Sequence, residues 1–170
     1  MPASAPAPAP PPHPVPFQRF LDAHATRVWR YLAGMVGPVD ADDCFQETFI
    51  AALRAYPKLR RGSNERAWIL TIAHRKALDH ISARGRRAVP SDALPEQPHH
   101  DPLPGDDPIW ARVRELPPKQ RAAVTLRYAA DLTHAEVATA LGTSVEAARR
   151  SAHEGLKRLR ATADDEGTLR

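Results

Sequence analysis

The sequence holds a single cysteine, Cys44, among 170 residues. That excludes an internal disulfide framework and suits a reducing cytoplasm. Nowhere does the chain approach the roughly 18 uninterrupted apolar residues of a membrane span. Its first residues combine neither a basic start nor an apolar core, so they do not read as a secretory signal. No segment shows the alternating, β-branched pattern of a strand, which leaves an all-α fold class. A glycine-rich phosphate loop and a serine nucleophile elbow are also missing. Nothing in the residues argues for catalysis, a cofactor or a small-molecule substrate.

What is present is mixed charge with a basic bias: 26% charged and 42% hydrophobic residues, net charge +4 and a pI near 9.6. The bias permits a nucleic-acid partner without establishing one. The length suffices for one ordinary domain or two small ones. Proline marks the divisions: eight of the 18 prolines fall in residues 1–16 and six more in 88–108. Residues 1–16 alternate Ala and Pro and read as an extended, disordered tail. Residues 88–107 add Asp92, Glu96, Asp101, Asp106 and Asp107 to their prolines and read as a flexible acidic linker. Two helical domains are therefore expected, 17–87 and 108–162, followed by a short polar tail, 163–170.

In the first domain Phe17, Phe20, Leu21, His24, Val28, Tyr31, Leu32 and Met35 recur at helical spacing, with Gly34, Gly37 and Pro38 expected to end that helix. A second helix carries Phe45, Phe49, Ala52, Leu53 and Tyr56 and stops near Pro57. A third, with Ser63 or Asn64 as N-cap, carries Trp68, Ile69, Ile72, Ala73, Ala77 and Ile81. In the second domain a short helix around Trp110, Val113 and Leu116 precedes one over 119–130. Thr133 and Glu136 then fit a capping box, Gly142 ends that helix, and Ser144 can cap the next. Two short helices joined by a glycine turn form a helix-turn-helix. The second buries Val145, Ala148, Ala152, Leu156 and Leu159 and turns Arg149, Arg150, His153, Lys157, Arg158 and Arg160 outward. A basic helix of this kind fits the major groove, where Arg and Lys can bond base edges and phosphates.

Other clusters are weaker. His99, His100 and Asp101 lie in the linker without complementary ligands, and His74, Asp79 and His80 lack the spacing of a metal-binding helix, so no metal site is expected. Cys44 beside an apolar stripe reads as a small buried residue. Asp40, Asp42 and Asp43 suit a helix start, whereas Gln46 and Glu47 have no structural role visible in the sequence.

The run DADDCFQETF from Asp40 to Phe49 resembles the polymerase-binding helix of the extracytoplasmic-function group of sigma factors, in the sigma-70 family. RAWILTIA from Arg66 to Ala73, followed by Ala77, Leu78 and Asp79, is similar to their promoter −10 helix. LPPKQRAAV from Leu116 to Val124, then Glu136 to Ala138 and Gly142 to Ser144, resembles their −35-reading domain. The resemblance covers about 17–162 and implies a bacterial, cytoplasmic transcription initiation factor. Its implied partners are core RNA polymerase, promoter DNA and an anti-sigma factor. It assigns Asp43, Gln46 and Glu47 to polymerase docking. Arg60, Arg61, Ser63, Asn64, Trp68, His74 and Arg75 would contact the −10 element, and Thr133, Ser144, Arg149, Arg150, Ser151, His153 and Lys157 the −35 element. The linker, as proline-rich chain, would reach on the order of 60 Å. Two positions depart from the pattern: Arg75 stands where Asn is common, and Glu154, followed by Gly155, where a basic residue is usual. Glu154 is expected to repel phosphate, and Gly155 to weaken its helix by about 1 kcal/mol. Two other readings compete. A stand-alone helix-turn-helix regulator would use 17–87 as its sensor, and a helical enzyme would use His74, Asp79 and His80.

Overall fold

Proline and glycine set the breaks between helices. The computed structural model describes residues 15–87 and 108–167, with side chains described to 163. The expected linker, most of the expected N-terminal tail and the last residues lie outside that range. Among the described residues there are seven α-helices and no strand. They are α1 (Phe17–Val36), α2 (Pro38–Ala55), α3 (Glu65–Arg87), α4 (Pro108–Glu115), α5 (Pro118–Val124), α6 (His134–Leu141) and α7 (Val145–Gly167).

Gly37, at φ 91°, makes the reversal between α1 and α2, and Pro38 begins α2 where its missing N–H costs nothing. Asn64 caps α3, its Oδ1 accepting from the Ala67 N–H at 3.0 Å. Thr133 and Glu136 close the expected capping box on α6, and Gly142 ends that helix in the left-handed region at φ 62°. Ser144 Oγ accepts from the Ala147 N–H at 3.1 Å and so caps α7.

Three boundaries differ from the sequence reading. Gly34 does not end α1; it lies buried inside the helix, and α1 runs on to Val36. The helix expected over 119–130 stops at Val124 and widens into a π turn, Thr125–Ala129, with the Ala130 N–H reaching back to the Thr125 carbonyl at 3.1 Å. Thr125 Oγ1 donates to the Arg121 carbonyl at 2.7 Å, local competition that loosens a regular helix. Helix α7 continues to Gly167, five residues past the expected domain end.

Helices α1–α3 pack around Phe20, Val28, Tyr31, Leu32, Phe49, Ile69 and Leu70. Phe17, Phe20, Phe49, Tyr56 and Trp68 form an aromatic cluster at one end, Phe20 and Trp68 meeting edge-on at 5.6 Å between centroids. Burial and the nearby Glu47, Asp40 and Asp43 carboxylates push the Cys44 thiol up to about 11, so it stays protonated and inert. In the second domain Val113, Leu116, Val124 and Leu159 form a small core beside Trp110. The larger cluster runs on from Leu32 and Met35 into Leu126, Ala130, Leu132 and Val137, so the two domains share one apolar core.

Candidate functional site

Three surfaces hold the residues singled out by sequence. The first is the outer face of α2. Asp43, Gln46 and Glu47 are all exposed there. Beside them stand two apolar side chains that the sequence reading did not place, Val39 and Ile50, and one that it did, Leu53, at 76%, 51% and 54% exposure. Val39, Asp43, Gln46, Ile50 and Leu53 follow one another at steps of four, three, four and three. That is the spacing of a seam that seats against another helix. Leu53 had been given to the buried face; it lies on the opposite one. Glu47 has a partner after all, since its Oε2 lies 3.7 Å from Lys76 Nζ on α3. An exposed pair of that length contributes about 0–1 kcal/mol and leaves the carboxylate open to another cation.

The second surface is the turn before α3. Arg60, Arg61 and Ser63 are exposed around Gly62, which takes φ 78°. Asn64 serves as a cap and also donates from Nδ2 to Glu136 Oε1 at 2.7 Å. Arg75 is exposed on α3. Trp68 is half-buried against Phe20 and Tyr56. His74 turns inward, with Nδ1 2.7 Å from the buried Tyr31 hydroxyl. Burial, then the charge of Arg75, holds the His74 ring below its ordinary pKa and favours its neutral form. These two rings therefore brace α3 against α1, while Arg60, Arg61, Ser63 and Arg75 face outward.

The third surface is α7. Successive residues turn by about 100°, which gathers Arg150, His153 and Lys157 opposite the buried Ala148, Ala152, Gly155 and Leu159. Arg149 is exposed at the border of that face and Ser151 is half-buried. Thr133 and Ser144 hold helix N-termini and line the approach to α7. Glu154 is exposed one turn on from Arg150, and its Oε2 accepts from Gln120 Nε2 on α5 at 3.2 Å. Gly155 has a packing reason. A Cβ there would stand 2.6 Å from Val124 Cγ2 and 3.4 Å from the Gln120 carbonyl, so glycine lets α7 lie close on α5.

Glu136 is buried and multiply hydrogen-bonded. Burial alone would raise its pKa, but bonds from Asn64, the Thr133 N–H, Arg66 and the Thr133 hydroxyl outweigh burial and hold it at about 2. Among the described residues no group of three or more His, Cys, Asp or Glu could hold a metal ion. His80 instead lies 3.3 Å from Asp40, which also pairs with Arg84. No helix among the described residues is long and apolar enough to cross a membrane.

Residues 20–87 match the family model for Sigma-70 region 2, and residues 106–159 match that for Sigma-70, region 4. The ECF RNA polymerase sigma factor SigD of Mycobacterium tuberculosis is 37% identical over 148 residues, covering 78% of this chain and 70% of SigD. The ECF RNA polymerase sigma factor SigE of Mycolicibacterium smegmatis is 34% identical over 149 residues, covering 81% of this chain. The match spans 57% of SigE, a little over half its length. Among solved structures, the sigma factor RpoE bound to the anti-sigma factor NepR, from Bartonella quintana, superposes with a TM-score of 0.73 at 20% identity, covering 87% of this chain and 96% of that one. CnrH in complex with the cytosolic domain of CnrY gives 0.68 at 21% identity, with 88% of each chain covered. At those identities the likeness is one of fold.

Proposed function

The chain belongs to the extracytoplasmic-function sigma factors of the sigma-70 family, and from that premise we propose that it binds core RNA polymerase in the cytoplasm and directs initiation at promoters with −10 and −35 elements. Residues 17–87 form the polymerase-docking and −10 domain in this reading, 88–107 the linker, and 108–162 the −35 domain. The observation that carries it is the exposed seam on α2. Val39, Ile50 and Leu53 would be costly to leave in water, and the four–three run that joins them through Asp43 and Gln46 suits a partner helix. Asp43, Gln46 and Glu47 flank them and favour a partner with basic residues beside its own apolar stripe.

On the DNA side, Arg60, Arg61, Ser63 and Arg75 would line the path of the −10 strand, with Asn64 and the exposed edge of Trp68 beside it. Basic groups would track the backbone and polar groups would meet unstacked bases. Arg149, Arg150, His153 and Lys157 would enter the major groove of the −35 duplex, with Ser151, Thr133 and Ser144 toward its phosphates. An anti-sigma factor is the further expected partner, since relatives of this fold are found in such complexes. A stand-alone DNA-binding regulator would leave the α2 seam without a use.

The test is capture of core polymerase by the full chain and by an Ile50→Glu, Leu53→Glu variant. Both positions face solvent, so native helicity is expected to survive. Wild-type chain should retain core enzyme and the variant should lose it. Equal retention by both would overturn the docking assignment.

A further inference from the structure

The turn that leads into α3 carries a pattern that strand binding does not require. Arg60 and Arg61 stand three and two residues before Ser63. Of the fifteen serines and threonines in the chain, Ser63 alone has arginine at both of those positions.

The fold leaves this serine accessible. Arg60, Arg61 and Ser63 are exposed, and a Cβ on Gly62 would meet no atom within 4 Å, so the tip of the turn stands in open solvent. The Ser63 hydroxyl has no hydrogen-bond partner among the described residues. One backbone bond, from the Ser63 N–H to the Arg60 carbonyl at 3.2 Å, closes the turn. The segment can therefore straighten into another protein's groove while α3 keeps its cap, which is the neighbouring Asn64. Ser151 makes the contrast: it directly follows Arg149 and Arg150, but it is half-buried and fixed in the backbone of α7.

We propose that Ser63 is a phosphorylation site for a serine/threonine kinase with an acidic substrate groove and ATP as donor. Kinases select substrates by charge pattern, and two arginines just before the acceptor complement carboxylates in such a groove. In the step, Ser63 Oγ bonds the γ-phosphorus while the bond from that phosphorus to the β–γ bridging oxygen breaks. A kinase aspartate takes the hydroxyl proton, and ADP leaves. The product carries a charge of about −1.5 to −2 near neutral pH. A turn of this kind holds the Cα atoms of its first and fourth residues within about 7 Å, which puts the new phosphate in reach of the Arg60 guanidinium. Its charge offsets Arg60 and Arg61, the cations assigned above to the −10 strand. That consequence rests on the promoter-reading role proposed above; the modification itself does not. Losing two phosphate contacts on a single strand lowers the salt slope by about 1.4, on the order of tenfold weaker binding near 0.1 M salt. The α2 seam contains none of these residues, so docking on core polymerase is retained.

The full chain is incubated with magnesium ATP and a soluble extract of the cells that naturally express it, then repurified and mapped by peptide mass spectrometry. Wild type should gain one phosphoryl group on Ser63. The Arg60→Gln, Arg61→Gln variant, altered only at exposed positions, should keep its helicity and gain none there. No gain at Ser63, or a gain indifferent to the two arginines, would overturn the site. The second arm compares unmodified chain with chain synthesised with phosphoserine at position 63. Both should retain core enzyme alike, and the phosphorylated form should give about tenfold fewer protein-dependent transcripts from genomic fragments at limiting template. Equal transcript yields would overturn the effect on the −10 surface. A chain phosphorylated on Ser63 that directs no starts in either form would overturn the promoter-reading role and leave the modification site standing.

Discussion

Gly155→Ala should destabilise the protein even though it improves a helix. In an open helix interior the exchange gains about 1 kcal/mol. Here the added methyl would lie 2.6 Å from Val124 Cγ2, with the Gln120 carbonyl closing the other side at 3.4 Å. Val124 is 3% exposed, and its β-branched side chain has little χ1 freedom with which to withdraw. Overpacking of this kind costs typically about 1–3 kcal/mol, and a stiff neighbour places the cost in the upper half of that range. The net loss is then about 1–2 kcal/mol. With a urea dependence of about 2 kcal/mol per molar, the middle of the usual range, the midpoint should fall by roughly 0.5–1 M with an unchanged slope. Adding Val124→Ala should restore part of the loss, giving a coupling energy of about 0.5–3 kcal/mol for residues in contact. A midpoint for Gly155→Ala at or above wild type would refute the packing argument.

Arg150→Ala should change base preference at one or two −35 positions if the guanidinium forks onto a guanine edge, and should weaken all sequences alike if it holds phosphate; promoter activity over a randomised −35 library separates the two, and an unchanged profile with unchanged affinity removes Arg150 from the interface. The protein should lose stability on mild acidification: burial holds His24 and His74 below their ordinary 6.5, the unfolded chain takes up protons first, and the stability present above about pH 6.5 declines as pH falls toward the lower folded values. A urea midpoint at pH 5.5 equal to or above that at pH 7.5 would contradict this, and Glu136, held at about 2 against an ordinary 4.5, enters only below about pH 4.5. Cys44 should resist alkylation at pH 8 in the native protein and react readily in urea; rapid native modification would mean that the α2 packing opens.

The helices were legible in the sequence because their signals are local. The capping box at Thr133, the Gly142 turn, the Ser144 cap and the Asn64 cap each depend on a few adjacent residues, and each formed as read. The misreadings share a different origin. Gly34 looked like a terminator and Gly155 like a weak point, because the atoms that require glycine there come from helices distant in sequence. The packing of His74 on Tyr31 and of Trp68 on Phe20 was not legible either, because nothing nearby in the chain announces those neighbours. The same holds for Glu136: its capping role is local and was anticipated, while its bonds to Asn64 and Arg66 span some seventy residues. The α2 seam did have a sequence signal, the four–three repeat through Val39, Ile50 and Leu53, but the buried stripe of the same helix masks it.

The role proposed for this chain is to direct core RNA polymerase to promoters. The most direct measurement is in vitro transcription with purified core enzyme on genomic fragments, with and without the protein, mapping 5′ ends. Discrete new starts that require the protein are expected, each preceded by shared sequence near −10 and −35, and lost with the Ile50→Glu, Leu53→Glu variant. Transcription that is unchanged by adding the protein, while the chain still binds DNA on its own, would contradict it.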